Sequence, residues 1–383
     1  MASRLLSELI IRNGPVPFSE AMDVALYSPG GFYAVGGGAG RRRDFITSPE
    51  VGALFGAVLA TSLDTRWESL GCPDPFIVAE VGAGSGMLAR TVLAAAPRCC
   101  HALRYVMVER SEAMRALHSQ YLSLTAPDEL LGCSTKTSND SDDDVQIIPG
   151  QGPLVASMAA LPAQRFRGVI VANELLDNLA FDLLERRVDG WAEVRVTNGV
   201  EGAHQELLVS AAPDLDAWAM AIAPDAPIGG RIPRQVQARE WVQIACAALE
   251  AGTVVAVDYA VGSTASLAHR DPTEWLRTYR AHGQGRHSLE EIGSQDITVE
   301  VAIDQLPKPT RISSQADALG RWGIAPLVAQ ARATWHERAS IGDLIALQAR
   351  SRVQEAEALM DLTGMGSFTV MEWDVGRITS VQP

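Results

Sequence analysis

The chain has 383 residues, 47% of them hydrophobic and 20% charged, with a net charge of −14. That length is too great for one small core and points to two or three domains, or to one domain with large insertions. The acidic balance argues against a nucleic-acid footprint and favours a cationic partner, and no window approaches the ~18 uncharged apolar residues of a membrane span.

The opening residues, MASRLLSELIIRNGP, hold too short an apolar run for a secretory signal, and with Glu8 among them they read as an amphipathic helix. Cys72, Cys99, Cys100, Cys133 and Cys246 form an odd set without a C-x-x-C pair. This suits a reducing compartment and argues against a disulfide framework or a zinc site. The histidines form no H-x-x-x-H pair. No metal is expected, and a cytoplasmic location is. No feature of the sequence sets an oligomeric state.

Residues 5–27 pattern as two helices broken at Asn13-Gly14-Pro15, and the glycine-rich stretch 28–40 reads as loop. Ser48-Pro49-Glu50 is a helix start, with proline at the first helical position and an acid in the first turn. That helix is expected to run to Trp67. Phe76–Val81 is a short apolar run suited to a buried parallel strand. Gly82, Gly84 and Gly86 follow at alternate positions, and then Met87, Leu88, Val92 and Leu93 recur at helical spacing. The reading is strand, glycine turn, helix, with a helix N-terminus aimed above the sheet. Leu103–Val108 is the next strand and ends in Glu109, about 20 residues past the glycines, where a carboxylate holds a ribose diol. The alternative is a structural turn with a solvated Glu109.

A helix is expected over 111–124. The polar, acidic stretch within 127–152 reads as a solvated insertion. Pro153–Met158 is the third strand, and Ser157 and Met158 are either adenine contacts or ordinary strand-end residues. Gly168–Ala172 is the fourth, followed by Asn173, Glu174 and Asp177. Ligands in open α/β sheets sit outside the carboxyl ends of strands, which favours function for Asn173 and Glu174. The competing reading is an N-cap followed by acids in a first helical turn. Asp189-Gly190 between two strand-like runs signals a hairpin. Residues 197–235 read as turn-rich. A helix over 235–250 leads into a fifth strand, Thr253–Val257, and then Asp258, which is either a contact for a cationic acceptor or a structural acid. Residues 265–355 read as loop and helix, with His282 in a cationic stretch as a candidate base or a plain loop histidine. Phe368–Trp373 and Arg377–Val381 read as closing strands.

The segments LYSPGGFYAVGG, RRRDFITSPEVGALFG, EVGAGSGML and VANELLDNLAF, followed by GTVVAVDYA, LRTYRAHGQGRHSLEEIGSQDIT and GMGSFTVMEW, together resemble the MidA family of class I methyltransferases. The resemblance covers most of the chain in order. It departs at Ala83, Ser85 and Ala180, where the family pattern has proline, arginine and proline, without losing a glycine or an acid.

The resemblance implies an α/β fold: a mostly parallel Rossmann-like sheet with helices on both faces, over 76–383. A helical N-terminal cap over 1–75 is expected, with insertions at about 127–152, 181–235 and 265–355. The implied cofactor is S-adenosylmethionine, bound by Glu80, Gly82, Gly84, Gly86, Glu109, Ser157, Met158 and Asn173, with Glu80 against the donor's ammonium directly or through water. The implied acceptor is arginine in a protein partner, oriented by Glu174, with Asp177 and Asp258 behind it. A nicotinamide-dependent oxidoreductase is disfavoured by the G-x-G-x-G spacing. A small-molecule acceptor and a non-catalytic assembly factor stay as alternatives.

Overall fold

A computed structural model describes residues 1–35, 37, 47–132, 149–280 and 283–376. The chain forms two compact units that interleave along the sequence: Met1–Ile46, Glu174–Ile244 and Asp258–Lys308 in one, and Thr47–Asn173, Ala245–Val257 and Pro309–Pro383 in the other. Residues 47–75, placed with the cap in the sequence reading, group here with the strands that follow them.

The unit that contains Phe76 is built on a seven-stranded sheet. Its strands in chain order are β1 (Phe76–Val81), β2 (Leu103–Val108), β3 (Leu154–Met158), β4 (Phe166–Asn173), β5 (Leu249–Asp258), β6 (Arg311–Ser314) and β7 (Thr369–Val375). Their spatial order is β6-β7-β5-β4-β1-β2-β3. Strands β1 to β5 pair in parallel, and β6 pairs antiparallel with β7. Every residue of β1 and β2 is buried. Both faces of these strands are covered, so they read as apolar runs without alternation. The chain moves from β1 outward to β2 and β3 and then returns to the other side of β1 as β4. In open α/β sheets, ligands bind outside the carboxyl ends of the strands at such a reversal.

The helix expected from Ser48 forms in two pieces, Ser48–Val51 and Ala53–Ser69, divided at Gly52. A Cβ on Gly52 would fall 2.1 Å from Cδ of Glu355. That carboxylate accepts the Leu54 N–H at 2.8 Å and the Ser351 hydroxyl at 2.8 Å. A side chain from the far end of the sequence thus caps the second piece, and only glycine leaves it room.

The unit that contains the N-terminus is a different construction. Helices Ala2–Asn13 and Phe18–Tyr27 bury Leu6, Ile10, Phe18, Met22 and Leu26. These pack with Phe181, Leu183, Val194 and Val196, and with Trp275, Ile297 and Val299. The Asp-Gly hairpin forms as expected, pairing Asp182–Arg187 with Gly190–Asn198. Three further strands extend it into an antiparallel sheet: Val16–Pro17, His204–Ser210 and Arg231–Arg234.

Two stretches differ from the sequence reading. The segment read as turn-rich holds the strands His204–Ser210 and Arg231–Arg234 and a helix, Pro213–Ile222. The segment read as loop and helix holds Leu276–Arg280, Gly283–Gln284, Asp296–Val299, Val301–Ala302 and β6. Most of these strands are short and find partners far along the chain, so local periodicity does not announce them. The last expected strand, Arg377–Val381, lies outside the described residues, as do 133–148 of the acidic insertion. Among the described residues no helix is long and apolar enough to cross a membrane.

One carboxyl group stands inside the β1–β2 core. Glu80 is 5% exposed. It accepts the Tyr105 hydroxyl at 2.8 Å, and the backbone of Ala89 also hydrogen-bonds to it. Burial outweighs these bonds and pushes its pKa up to about 8, from an ordinary value of 4.5. The folded state therefore holds a proton that the unfolded state releases above its ordinary value, so Glu80 makes stability fall as pH rises from about 4.5 to about 8. We expect Glu80→Gln to flatten the pH dependence of Tm across this window. A variant with the wild-type slope would show that Glu80 is already ionised in the fold. At the other end of the unit, Glu355→Ala is expected to cost about 1–2 kcal/mol in chemical denaturation, the loss of a helix cap held by a buried carboxylate.

Candidate active site

The glycine turn begins where β1 ends. Gly82, Gly84 and Gly86 have φ of 74°, 53° and 80°, the left-handed region where a side chain is strained. The N–H groups of Gly82 and Ala83 donate to the Val108 carbonyl at 2.9 and 3.1 Å, which ties the turn to the end of β2. Helix Met87–Ala94 follows immediately, with Gly86 at its N-cap. The last two glycines serve different ends. A Cβ on Gly84 would meet nothing within 4 Å, whereas one on Gly86 would lie 3.1 Å from Met107 Sδ and 3.3 Å from His118 Cδ2. Gly84 borders open space and Gly86 packs inward.

Glu109 stands beside this turn at the end of β2. Its Oε2 accepts the Gly84 N–H at 2.9 Å and its Oε1 the Ser111 N–H at 2.7 Å. Burial raises its pKa, and these N–H donors and Arg115 oppose that rise. The Arg110 backbone hydrogen-bonds to Glu109 as well. A carboxylate has about four lone-pair positions, so about one acceptor position remains. The Glu109 N–H in turn donates to the Met158 carbonyl at 2.9 Å, which joins the ends of β2 and β3. Ser157 and Met158 are half-buried at the end of β3. Asn173 is half-buried at the end of β4, in register with Val257.

His118, on helix Glu112–Tyr121, was not singled out by sequence. It is fully buried. Its Nε2 lies 2.9 Å from the Gly84 carbonyl oxygen and its Nδ1 2.8 Å from Ser157 Oγ. The only signal in the sequence is a histidine one helical turn after the apolar Met114, which more often marks a core position.

In the unit that contains the N-terminus, Glu174, Asp177 and Asp258 come together with Asp296. No α-helix begins after β4. Glu174 takes φ 50°, and the next regular element is a single 3-10 turn, Leu176–Asn178. The reading of Glu174 and Asp177 as acids in a first α-helical turn therefore does not hold. Asp258 Oδ2 accepts the Leu176 N–H at 2.8 Å, and its Oδ1 the Tyr259 N–H at 2.9 Å. Burial still pushes its pKa up to about 7. Asp177 is 3% exposed and its Oδ1 has no hydrogen-bond partner. Burial first, and then the charges of Asp258, Glu174 and Asp296, raise its pKa well above the carboxylate range. Asp296 Oδ1 accepts from the Tyr33 hydroxyl at 3.1 Å, Asn178 Nδ2 at 3.1 Å and the Ile297 N–H at 3.0 Å. Asp177 also lines a small recess with Tyr259, Trp275, Arg277, Tyr279 and Glu300. Asp296 escaped the sequence reading because a short strand in the segment read as loop and helix carries it. His282 lies outside the described residues. Among the described residues no group of His, Cys, Asp and Glu has the makings of a metal site.

Residues 58–321 match the model of a family of S-adenosyl-L-methionine-dependent methyltransferases. The chain is 27% identical over 317 residues to the zebrafish (Danio rerio) mitochondrial protein arginine methyltransferase NDUFAF7, covering 79% of this chain and 70% of that protein. Over 92 residues it is 40% identical to the Drosophila melanogaster homolog of that enzyme, which is 24% of this chain and only 21% of the relative. A Burkholderia thailandensis protein described as a likely methyl transferase, solved with S-adenosyl-homocysteine bound, superposes with a TM-score of 0.79 at 27% identity, over 99% of this chain and 92% of that one. The cytoplasmic location expected from sequence is overturned by the relatives, which are mitochondrial by name. Cysteine usage reads redox state and not organelle, so it never separated the two. The open space beside Gly84 and the carboxylate at the end of β2 fit S-adenosylmethionine, and the chain belongs to the MidA-type family of methyltransferases that use it.

Proposed function

We propose that the acceptor of this methyltransferase is an arginine side chain in a protein partner. The observation that carries the reading is Asp177: a buried carboxyl with one oxygen unpartnered, surrounded by three more acids. Such a cluster is costly to ionise without a cation, and an arriving guanidinium supplies one. Its planar fork of N–H donors matches carboxylate oxygens in pairs. The net charge of −14 favours a basic contact surface, and the relatives named as protein arginine methyltransferases support the same reading.

On the donor side, the turn at Gly82, Gly84 and Gly86 seats the amino-acid end. Glu109 holds the ribose hydroxyls with the acceptor capacity that its backbone donors leave. Ser157, Met158 and Asn173 border the nucleoside. Glu80, buried one residue before β1 ends, ties that strand to Tyr105 of β2 and to Ala89 of the helix that follows the turn. The bound donor supplies an electrophilic methyl group on a sulfonium.

On the acceptor side, Glu174 is first in orienting the guanidinium. Its left-handed backbone costs about 1–2 kcal/mol for a non-glycine residue, and strain of this kind gathers at functional sites. Asp177 and Asp258 complete the acidic wall. Methylation replaces an N–H with N–CH3, so one proton must leave. Beside a bound cation Asp177 ionises, and its buried, unpartnered oxygen, whose proton affinity burial raises, is then an acceptor for that proton. Alignment and exclusion of water do the remaining work.

Gly84→Val is expected to abolish donor binding, because it fills the open space beside the turn and forces a β-branched residue to φ 53°. Glu109→Ala is expected to weaken binding by about 1–3 kcal/mol through lost hydrogen bonds to a charged group. Wild-type affinity in both variants by calorimetry would sink the donor assignment. Glu174→Gln keeps size but not charge, and turnover is expected to fall about 100-fold with the fold and donor binding retained. A loss of only a fewfold would make Glu174 a structural residue. For the acceptor, extract from cells lacking this chain is incubated with enzyme and labelled donor, and protein and small-molecule fractions are compared. Label on protein arginine is the expected result. Label confined to small molecules would refute arginine while leaving the methyltransferase class intact.

A further inference from the structure

The Gly84 residue is held by side chains at both of its peptide groups. Its N–H donates to Glu109 Oε2 at 2.9 Å, and its carbonyl oxygen lies 2.9 Å from His118 Nε2. A carbonyl only accepts, so Nε2 carries the hydrogen. Burial first, and the Arg115 charge with it, lower the pKa of His118, against a smaller opposite effect of the Gly84 bond. The ring is therefore neutral near neutral pH. In a neutral ring the other nitrogen accepts, so the Ser157 hydroxyl donates to Nδ1 across 2.8 Å. The histidine, fixed by Ser157 on one side, accommodates only one orientation of the peptide on the other.

Planarity carries this choice to the next residue. In a trans peptide the C=O and the following N–H point in opposite directions. With the Gly84 carbonyl turned onto His118, the Ser85 N–H points away from it. Glycine at φ 53° tolerates either orientation of the peptide that follows. The turn's own sequence therefore does not choose between presenting an N–H and presenting a carbonyl.

We propose that His118 is a positioning residue for the methyl donor: it locks the Gly84–Ser85 peptide with its N–H outward, so that the turn offers a hydrogen-bond donor to the carboxylate of the donor's amino-acid end. The inference rests on the reading that the turn seats that end. Without the latch the peptide samples both orientations, and the flipped one sets a carbonyl oxygen against a carboxylate. Neither oxygen carries a proton, so the contact becomes repulsive. Ser157 then acts through the histidine, by holding its ring.

The test is calorimetry with two probes: S-adenosylhomocysteine, which carries the carboxylate, and 5′-methylthioadenosine, which lacks the amino-acid end. His118→Asn keeps a polar partner for Ser157 but is too short to reach Gly84. His118→Gln returns an N–H at the reach of Nε2. We expect His118→Asn to weaken S-adenosylhomocysteine about 10- to 100-fold, to leave 5′-methylthioadenosine within a fewfold, and His118→Gln to recover most of the loss. Equal loss for both probes, or loss for neither, would overturn the latch. Nitrogen-15 NMR of wild-type histidine gives a reading that does not depend on a variant folding: a neutral ring with its hydrogen on Nε2 is required, and any other state overturns it. A wild-type protein that binds neither probe would instead remove the donor site itself, and the latch with it.

Discussion

The controlling constraint is that strands β1 and β2 are buried on both faces. Such strands have no solvated side on which to carry polar chemistry. Polar groups of these two strands are therefore left to the places where the strands end. The strand order reverses between β1 and β4, and in open α/β sheets ligands bind outside the carboxyl ends of the strands at such a reversal. The glycine turn, Glu109, Ser157, Met158 and Asn173 all follow from this, because each stands within a residue or a few of a strand's carboxyl end. Glu80, one residue before β1 ends, is caught inside instead, and its carboxyl behaves as a buried acid.

The acids of the molecule show how local donors decide charge. Glu109 is half-buried, and backbone N–H groups, those of Gly84 and Ser111 among them, reach its oxygens and oppose the effect of burial. Asp296 collects donors from Tyr33, Asn178 and its neighbour Ile297. Asp258 is met by the N–H groups of Leu176 and Tyr259. Asp177 sits with Asp258, Glu174 and Asp296, one of its oxygens bare. Burial raises the proton affinity of Glu109, Asp258 and Asp177 alike, and backbone N–H donors oppose that rise at Glu109 and Asp258. Asp177 has the charges of Asp258, Glu174 and Asp296 against it in addition to burial.

The sequence by itself determined the sheet strands that are long, apolar and locally bounded. Phe76–Val81 and Leu103–Val108 have the expected limits, because a strand buried on both faces writes its length directly as an apolar run. It determined the glycine turn, since Gly82, Gly84 and Gly86 take backbone angles that other residues resist. It determined the Asp-Gly hairpin for the same kind of reason. These features are local, and local chemistry is legible in order.

Tertiary structure decided the rest. The short strands Leu276–Arg280 and Asp296–Val299 exist because they pair with each other, and nothing within either stretch requires it. Gly52 is required by Glu355, a residue on a distant helix. His118 looks like one more core position until Gly84 and Ser157 are brought to its two nitrogens. Glu174 was legible as an acid after a strand, but the absence of an α-helix beyond it was not. Each of these depends on groups that meet only after folding. A hydrogen bond across a long loop leaves no period or spacing in the chain, because its energy depends on where two atoms end up and not on how many residues lie between them.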